Sequence, residues 1–125
     1  LITDVILVRT DDYQENPEKY AKFLRGIYRA IDLYNADPDK FIAISAPFFD
    51  TPADEMKEAL AGVKYTSYEE SVSYLPSASG DGKLKEVFDA FNDINVVLDL
   101  QDAPLQYRPY VDGAVLNGLF DGHTR

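Results

Sequence analysis

The chain has 125 residues, is 46% hydrophobic and 13% aromatic, and carries a formal net charge of −10 with no cysteine. That suffices for one domain with a core and is too apolar for a disordered segment. The acidic balance argues against nucleic acid or an anionic membrane as partner, and the lack of cysteine excludes disulfides, thiolate metal sites and cysteine nucleophiles.

Val5, Ile6, Leu7 and Val8 form a short apolar run between Asp4 and Arg9. Without alternation, such a run suits a strand buried on both faces of an α/β sheet. No later segment reads as a comparable strand, so Thr3–Arg9 is expected to be a sheet strand with no visible sheet. Thr10–Glu15 is polar and reads as a connection.

The strongest helix runs from Asn16 to about Tyr34. Tyr20, Phe23, Leu24, Ile27, Tyr28, Ile31 and Tyr34 share one face, with Lys19, Lys22, Arg25, Arg29 and Asp32 left in water. Asn16 is placed to cap and Pro17 to open it. Asp37–Pro38 repeats the signal for a helix ending near Pro47, after which Phe48 and Phe49 are expected to enter the core. Thr51–Pro52 starts a third helix, ended by Gly62, and Ser67-x-x-Glu70 resembles a capping box. Pro76–Lys83 is the clearest loop. Leu84–Leu100 is a second strong amphipathic helix, with Leu84, Val87, Phe88, Phe91, Ile94 and Leu98 as its apolar set. Asp112 caps a last short helix, and Asp121–Arg125 is expected to fray.

Chemistry-bearing residues are sparse. The single histidine, His123, falls in the expected frayed tail, so no catalytic or metal role is assigned. Acidic pairs such as Glu69–Glu70 and Asp89 with Asp93 read as helix-start and solvent-face residues. Gly80-Asp81-Gly82-Lys83 is too short for a phosphate loop and follows no strand. Tyr65, Tyr68, Tyr74, Tyr107 and Tyr110 are the tyrosines least committed to the core. Arg9 and Thr10 stand where the apolar run ends, the place where open α/β sheets gather ligands, and are the candidate ligand-binding pair.

Taken together, Thr3-Asp4-Val5-Ile6-Leu7-Val8-Arg9, Glu15-Asn16-Pro17-Glu18, Phe23-Leu24-Arg25-Gly26-Ile27-Tyr28-Arg29-Ala30-Ile31-Asp32 and Asn35-Ala36-Asp37-Pro38 resemble the carboxyl-terminal half of ABC-importer solute-binding proteins. The branch is the nitrate/sulfonate/taurine and thiamine-precursor-like one, with the type II periplasmic binding fold. Thr51-Pro52-Ala53-Asp54-Glu55-Met56, Leu60-Ala61-Gly62-Val63 and Val111-Asp112-Gly113 fit the same order. The resemblance implies an α-rich α/β fold, one N-terminal strand followed by about six helices, within one lobe of a two-lobe protein. Residues 1–125 would be a single domain forming its carboxyl-terminal part, the strand's neighbours lying in an amino-terminal half outside this sequence.

The implied function is non-enzymatic: binding a small anionic or heterocyclic solute for delivery to an ABC transporter permease, with no cofactor or metal. Arg9 and Thr10 carry over as residues near the cleft. The implied location is periplasmic or extracellular, with any export signal or lipoprotein anchor upstream of Leu1. Standing alone, the chain is expected to bind no solute tightly and to form a homodimer through its N-terminal strand. The alternatives are a stand-alone helical protein-interaction domain and an enzyme of the thiamine-pyrimidine synthesis type, for which these residues offer no site.

Overall fold

The computed structural model describes residues 4–125. Its elements are α1 (Thr10–Glu15), α2 (Pro17–Ala36), α3 (Pro38–Ser45), a 3-10 turn (Ala46–Phe49), α4 (Ala53–Ala61), α5 (Tyr68–Tyr74), α6 (Leu84–Val97) and α7 (Ala114–Asn117). Among the described residues the only β feature is an isolated antiparallel bridge between Ser77 and Gly80.

The expected α-rich α/β architecture, with its N-terminal strand in a periplasmic-binding lobe, is therefore overturned. Residues 4–9 belong to no helix or strand. Residues 4–8 exchange no backbone hydrogen bond with any other described residue. Val5, Ile6 and Leu7 are 57%, 55% and 88% exposed. Thr3, where the expected strand begins, lies outside the described residues. The physical reason is partnership: an apolar run becomes a strand only when a neighbour offers a hydrogen-bonding edge. Every later regular segment satisfies its backbone within a helix instead, and Thr10–Glu15, expected as a connection, is itself helical.

α2 is the axis. The buried cluster joins Ala21 and Tyr28 of α2 to Leu116 and Leu119, with Leu24, Ile31, Tyr68, Val72, Leu75, Val115 and Phe120 packed around it. The core thus lies where α5, α7 and the chain end close over α2. Its inner face is rotated from the expected one, because Arg25 is buried and Phe23 is 56% exposed. The Arg25 guanidinium reaches inward: Nη1 donates to the Leu119 carbonyl at 3.3 Å and Nη2 to Glu18 Oε1 at 2.5 Å. An aliphatic stem with a forked head can line a core edge and still satisfy a main-chain carbonyl.

The carboxyl terminus is pinned rather than frayed. Arg125 donates to both Asp32 carboxylate oxygens, at 3.0 and 3.1 Å, and also to Glu69. It lies over the Tyr68 and Phe120 rings. Asp32 and then Glu69 hold the Arg125 guanidinium above its ordinary range, and Arg125 in turn holds the Glu69 carboxyl below its own. Arg29 adds a bond from Nη2 to the Thr124 carbonyl at 2.8 Å.

Helix starts follow local chemistry, with exceptions. Asp37 accepts from the Lys40 N–H at 3.0 Å. Asn16 makes no cap bond, since its amide donates to Asp12 instead. Thr51 does not cap α4 either; its hydroxyl turns back to the Phe49 carbonyl. Phe48 and Phe49 stay outside, 84% and 63% exposed and stacked edge-on against each other. The 3-10 turn ends at Asp50 in the left-handed region, φ 50, which sends the chain on toward Thr51 before either ring can turn inward.

The Ser67–Glu70 capping box is complete: the Glu70 N–H donates to Ser67 Oγ at 3.1 Å and the Ser67 N–H to Glu70 Oε2 at 3.0 Å. Ser67→Ala is expected to cost about 1 kcal/mol of stability, read by urea denaturation at pH 7. Glu70 is held below the ordinary carboxylate range, first by the Ser67 N–H and then by Lys64. A depressed carboxylate contributes stability that is present at neutral pH and lost as pH falls through its folded-state pKa. The stability gap between the native chain and Glu70→Gln should therefore close on acidification; a gap independent of pH would contradict the assignment.

Candidate functional site

Arg9 is the N-cap residue of α1, with extended backbone (φ −72, ψ 131). Its side chain makes no cap bond. It forks onto Asp11 instead, Nε to Oδ1 at 3.1 Å and Nη2 to Oδ2 at 2.6 Å. The pair is open to solvent, the two side chains 81% and 62% exposed. Each partner favours the other's charged form: Asp11 raises Arg9 and Arg9 lowers Asp11. Thr10 is the first residue of α1 and is exposed.

Behind them stands a cluster that sequence reasoning missed. Asp12 accepts from Asn16 Nδ2 at 3.0 Å, from the Lys19 ammonium and from the Tyr20 hydroxyl. Lys19 lies 5.1 Å above the Tyr20 ring, and Tyr13 packs against Tyr20 with centroids 5.5 Å apart. Lys19, and after it Tyr20, hold Asp12 below the ordinary carboxylate range. Asp12 in turn raises both Lys19 and Tyr20. Burial, followed by Asp112, raises Tyr13. The clustering spans the one-residue break at Asn16, so that a residue of α1 meets two residues of α2. Positions 12, 16, 19 and 20 stand at offsets 0, 4, 7 and 8, the spacing of one helical face, and Asn16, Lys19 and Tyr20 all reach Asp12 across that break.

In this cluster each of the two cations already has a carboxylate. An anionic solute must therefore compete with Asp11 for the Arg9 fork. Fully exposed pairs contribute little and are readily exchanged, so Arg9 can change partner. Its planar fork matches a nitrate, sulfonate or carboxylate group.

Two hollows lie elsewhere. One of about 440 Å³ is lined by Ala43, Ala46, Pro47, Asp50, Thr51, Pro52 and Ala53. The other, about 150 Å³, is almost wholly apolar and runs between Ile27, Ala30, Ile31, Tyr34, Phe41 and Tyr65. Neither includes Arg9 or Thr10. Of the uncommitted tyrosines, Tyr68 joins the core and donates to the Leu116 carbonyl at 3.0 Å. Tyr107 is buried edge-on against Phe88, and its hydroxyl has no partner among the described residues. Tyr110 is exposed.

The acidic pairs do not converge. Glu69 faces Arg125 and Glu70 faces Lys64. Asp89 pairs with Lys85 at 2.5 Å. Among the described residues no group of three or more His, Asp or Glu is placed to hold a metal ion. Among the same residues, no helix is long and apolar enough to cross a membrane. Compared with known proteins, the chain matches no family model, no curated protein and no solved structure.

Proposed function

We propose that this chain is part of the solute-binding component of an ABC-type importer, taking a small anionic or heterocyclic solute of the nitrate, sulfonate, taurine or thiamine-precursor kind. It works outside the cytoplasmic membrane and hands its solute to a permease, with no reaction of its own. The observation that supports this reading is the ribbon Val5–Val8. It is apolar throughout and exposed, and it leads directly into Arg9 and Thr10. Such a ribbon is suited to be covered by a companion surface, which would bring Arg9 and Thr10 to the edge of a cleft.

The accessible surface supports the same idea. A compact monomer of 14.1 kDa exposes about 6,700 Å², whereas this chain exposes 9220 Å². The excess, about 2,500 Å², is spread over the chain and includes the exposed Val5–Val8. In the proposed role Arg9 leaves Asp11 for the solute anion, and the Thr10 hydroxyl adds a hydrogen bond beside it.

The test is titration calorimetry of the full gene product with nitrate, taurine, other aliphatic sulfonates and an aminopyrimidine. One of these is expected to bind, and Arg9→Ala to weaken that binding roughly tenfold or more, the loss of a charge-assisted fork. The 125-residue chain by itself is expected to bind none of them tightly. Failure of the full product to bind any member of the panel would overturn the proposal. A second reading, a stand-alone helical protein-interaction domain, is favoured by the exposed apolar stripe on α6; tight solute binding would sink it.

A further inference from the structure

Phe48 and Phe49 of the 3-10 turn stand in solvent with their rings edge-on, centroids 5.2 Å apart. The hollow of about 440 Å³ opens beside them, where α3, the turn and the start of α4 meet; Ala43, Ala46, Pro47 and Ala53 give it apolar walls. Its surroundings are acidic. Asp50 lines the hollow, and Asp54, Glu55 and Glu58 follow on α4, all exposed. Among the described residues none of these carboxylates is in an ion pair. Lys57, the cation of α4, is held by Asp39 at 3.0 Å. From Asp37 to Gly62 six carboxylates stand against two lysines. The dipole of α4 accounts for Asp54 and Glu55 in its first turn, but not for Asp50 before it or Glu58 a turn later. This face therefore joins an exposed aromatic pair, an apolar hollow and uncompensated negative charge.

We propose that this face docks a basic polypeptide segment. One apolar side chain of that segment enters the hollow beside Phe48 and Phe49, and its flanking lysines or arginines meet Asp50, Asp54, Glu55 and Glu58. Charge selects this occupant. A second copy of the chain, itself of net charge −10, brings like charge to the rim, and so does an anionic membrane or a nucleic acid. A basic segment gains from the same field, in encounter rate and in register. The apolar walls select the anchor, since a lysine or arginine head entering the hollow would be stripped of water among alanine and proline side chains. An apolar patch rimmed by charge is a mark of protein-binding surface, and exposed aromatic rings are the side chains that most often carry the energy of such contacts. The two rings already rest on each other, so docking costs little further ordering. This inference does not rest on the transport reading.

Fluorescence anisotropy is the experiment, with labelled synthetic peptides in which a leucine, methionine or phenylalanine is flanked on each side by two lysines. Binding is expected, and it should weaken as salt rises from about 0.15 M to 0.5 M. Glutamates in place of the lysines should abolish it, and alanine in place of the apolar residue should weaken it about tenfold or more. On the protein, Phe48→Ala with Phe49→Ala should raise the dissociation constant about tenfold or more. Asp54→Asn with Glu58→Gln should weaken binding and flatten its salt dependence. All four side chains are exposed, so circular dichroism should show the helix content of both variants kept. Phe91→Ala, on the exposed face of α6, should leave binding as it was. No binding by any lysine peptide at about 1 mM overturns the proposal. So does equal binding of the alanine peptides, or binding that survives the change at Phe48 and Phe49. A self-paired chain whose dimer is lost in that variant would assign the face to a second copy and overturn it as well.

Discussion

Leu119→Ala is expected to lower stability by about 3–5 kcal/mol. Among the described residues, Leu119 is the only large side chain with less than 2% of its surface exposed. It sits where Ala21 and Tyr28 of α2 meet Leu116 of α7. The neighbours cannot all collapse into the gap. Its own carbonyl accepts from the buried Arg25 Nη1, and the segment beyond it is tied to α2 by Arg29 and Arg125. The cost therefore includes both the lost transfer free energy and a persistent cavity. The core has few members to share the loss: Ala21, Tyr28, Ile42, Ala46, Tyr107, Leu116 and Leu119 are its buried hydrophobic residues. Urea unfolding followed by circular dichroism checks this, with Leu105→Ala as the exposed control, expected within about 0.5 kcal/mol of the native chain. Equal effects at 119 and 105 would mean that the core has been misplaced.

The legible part of this fold is what local chemistry decides. Asn16–Pro17 and Asp37–Pro38 mark helices that start at Pro17 and Pro38, and Ser67-x-x-Glu70 marks the one starting at Tyr68. In each case the proline or the capping pair acts within four residues, so no distant contact can overrule it. The illegible part is what distant contacts decide. Val5–Val8 has the composition of a strand, yet a strand is a property of two segments, and no second one is present among the described residues. Arg25 reads as a solvent residue by type, yet it is buried because the Leu119 carbonyl, 94 residues later, needs a donor. Asp121–Arg125 reads as a loose tail by composition and is held by Asp32 and Glu69.

The candidate site divides the same way. Arg9 and Thr10 follow the apolar run, but the strand end on which their reading rested is absent. The sequence did not foretell that Asp11 occupies the Arg9 fork, nor that Asp12, Lys19 and Tyr20 gather behind it. An acidic residue two positions after Arg9 was the available signal for the first. For the second the helical spacing of 12, 16, 19 and 20 was the available signal, hidden because Thr10–Glu15 reads as a connection.

Asn92→Ala is expected to cost about 1–3 kcal/mol, the net worth of the two hydrogen bonds its buried amide makes to the Leu105 main chain. Asn92 is the buried residue of α6, and its amide serves Leu105 as a neighbouring strand would. Nδ2 donates to the Leu105 carbonyl at 3.2 Å, and Oδ1 accepts the Leu105 N–H at 3.1 Å. Gln101 Nε2 also donates to Oδ1, at 2.9 Å. These bonds hold the irregular stretch between α6 and α7, which contains Pro104 and Pro109 and so offers fewer main-chain donors of its own. Asn92→Asp separates the hydrogen-bond role from simple size. A carboxylate keeps the two acceptor contacts but sets an anion against the Leu105 carbonyl where a donor stood. Burial and that carbonyl should raise the folded-state pKa of the new carboxyl above its unfolded value. The Asp variant should then be most stable below the unfolded pKa, where its protonated oxygen can donate to Leu105, and should lose that stability as pH rises through the folded value. Urea titrations of Asn92→Ala and Asn92→Asp at acid and neutral pH decide it. Were Asn92→Asp to match the native chain at every pH while Asn92→Ala did not, Asn92 would be acting by volume alone.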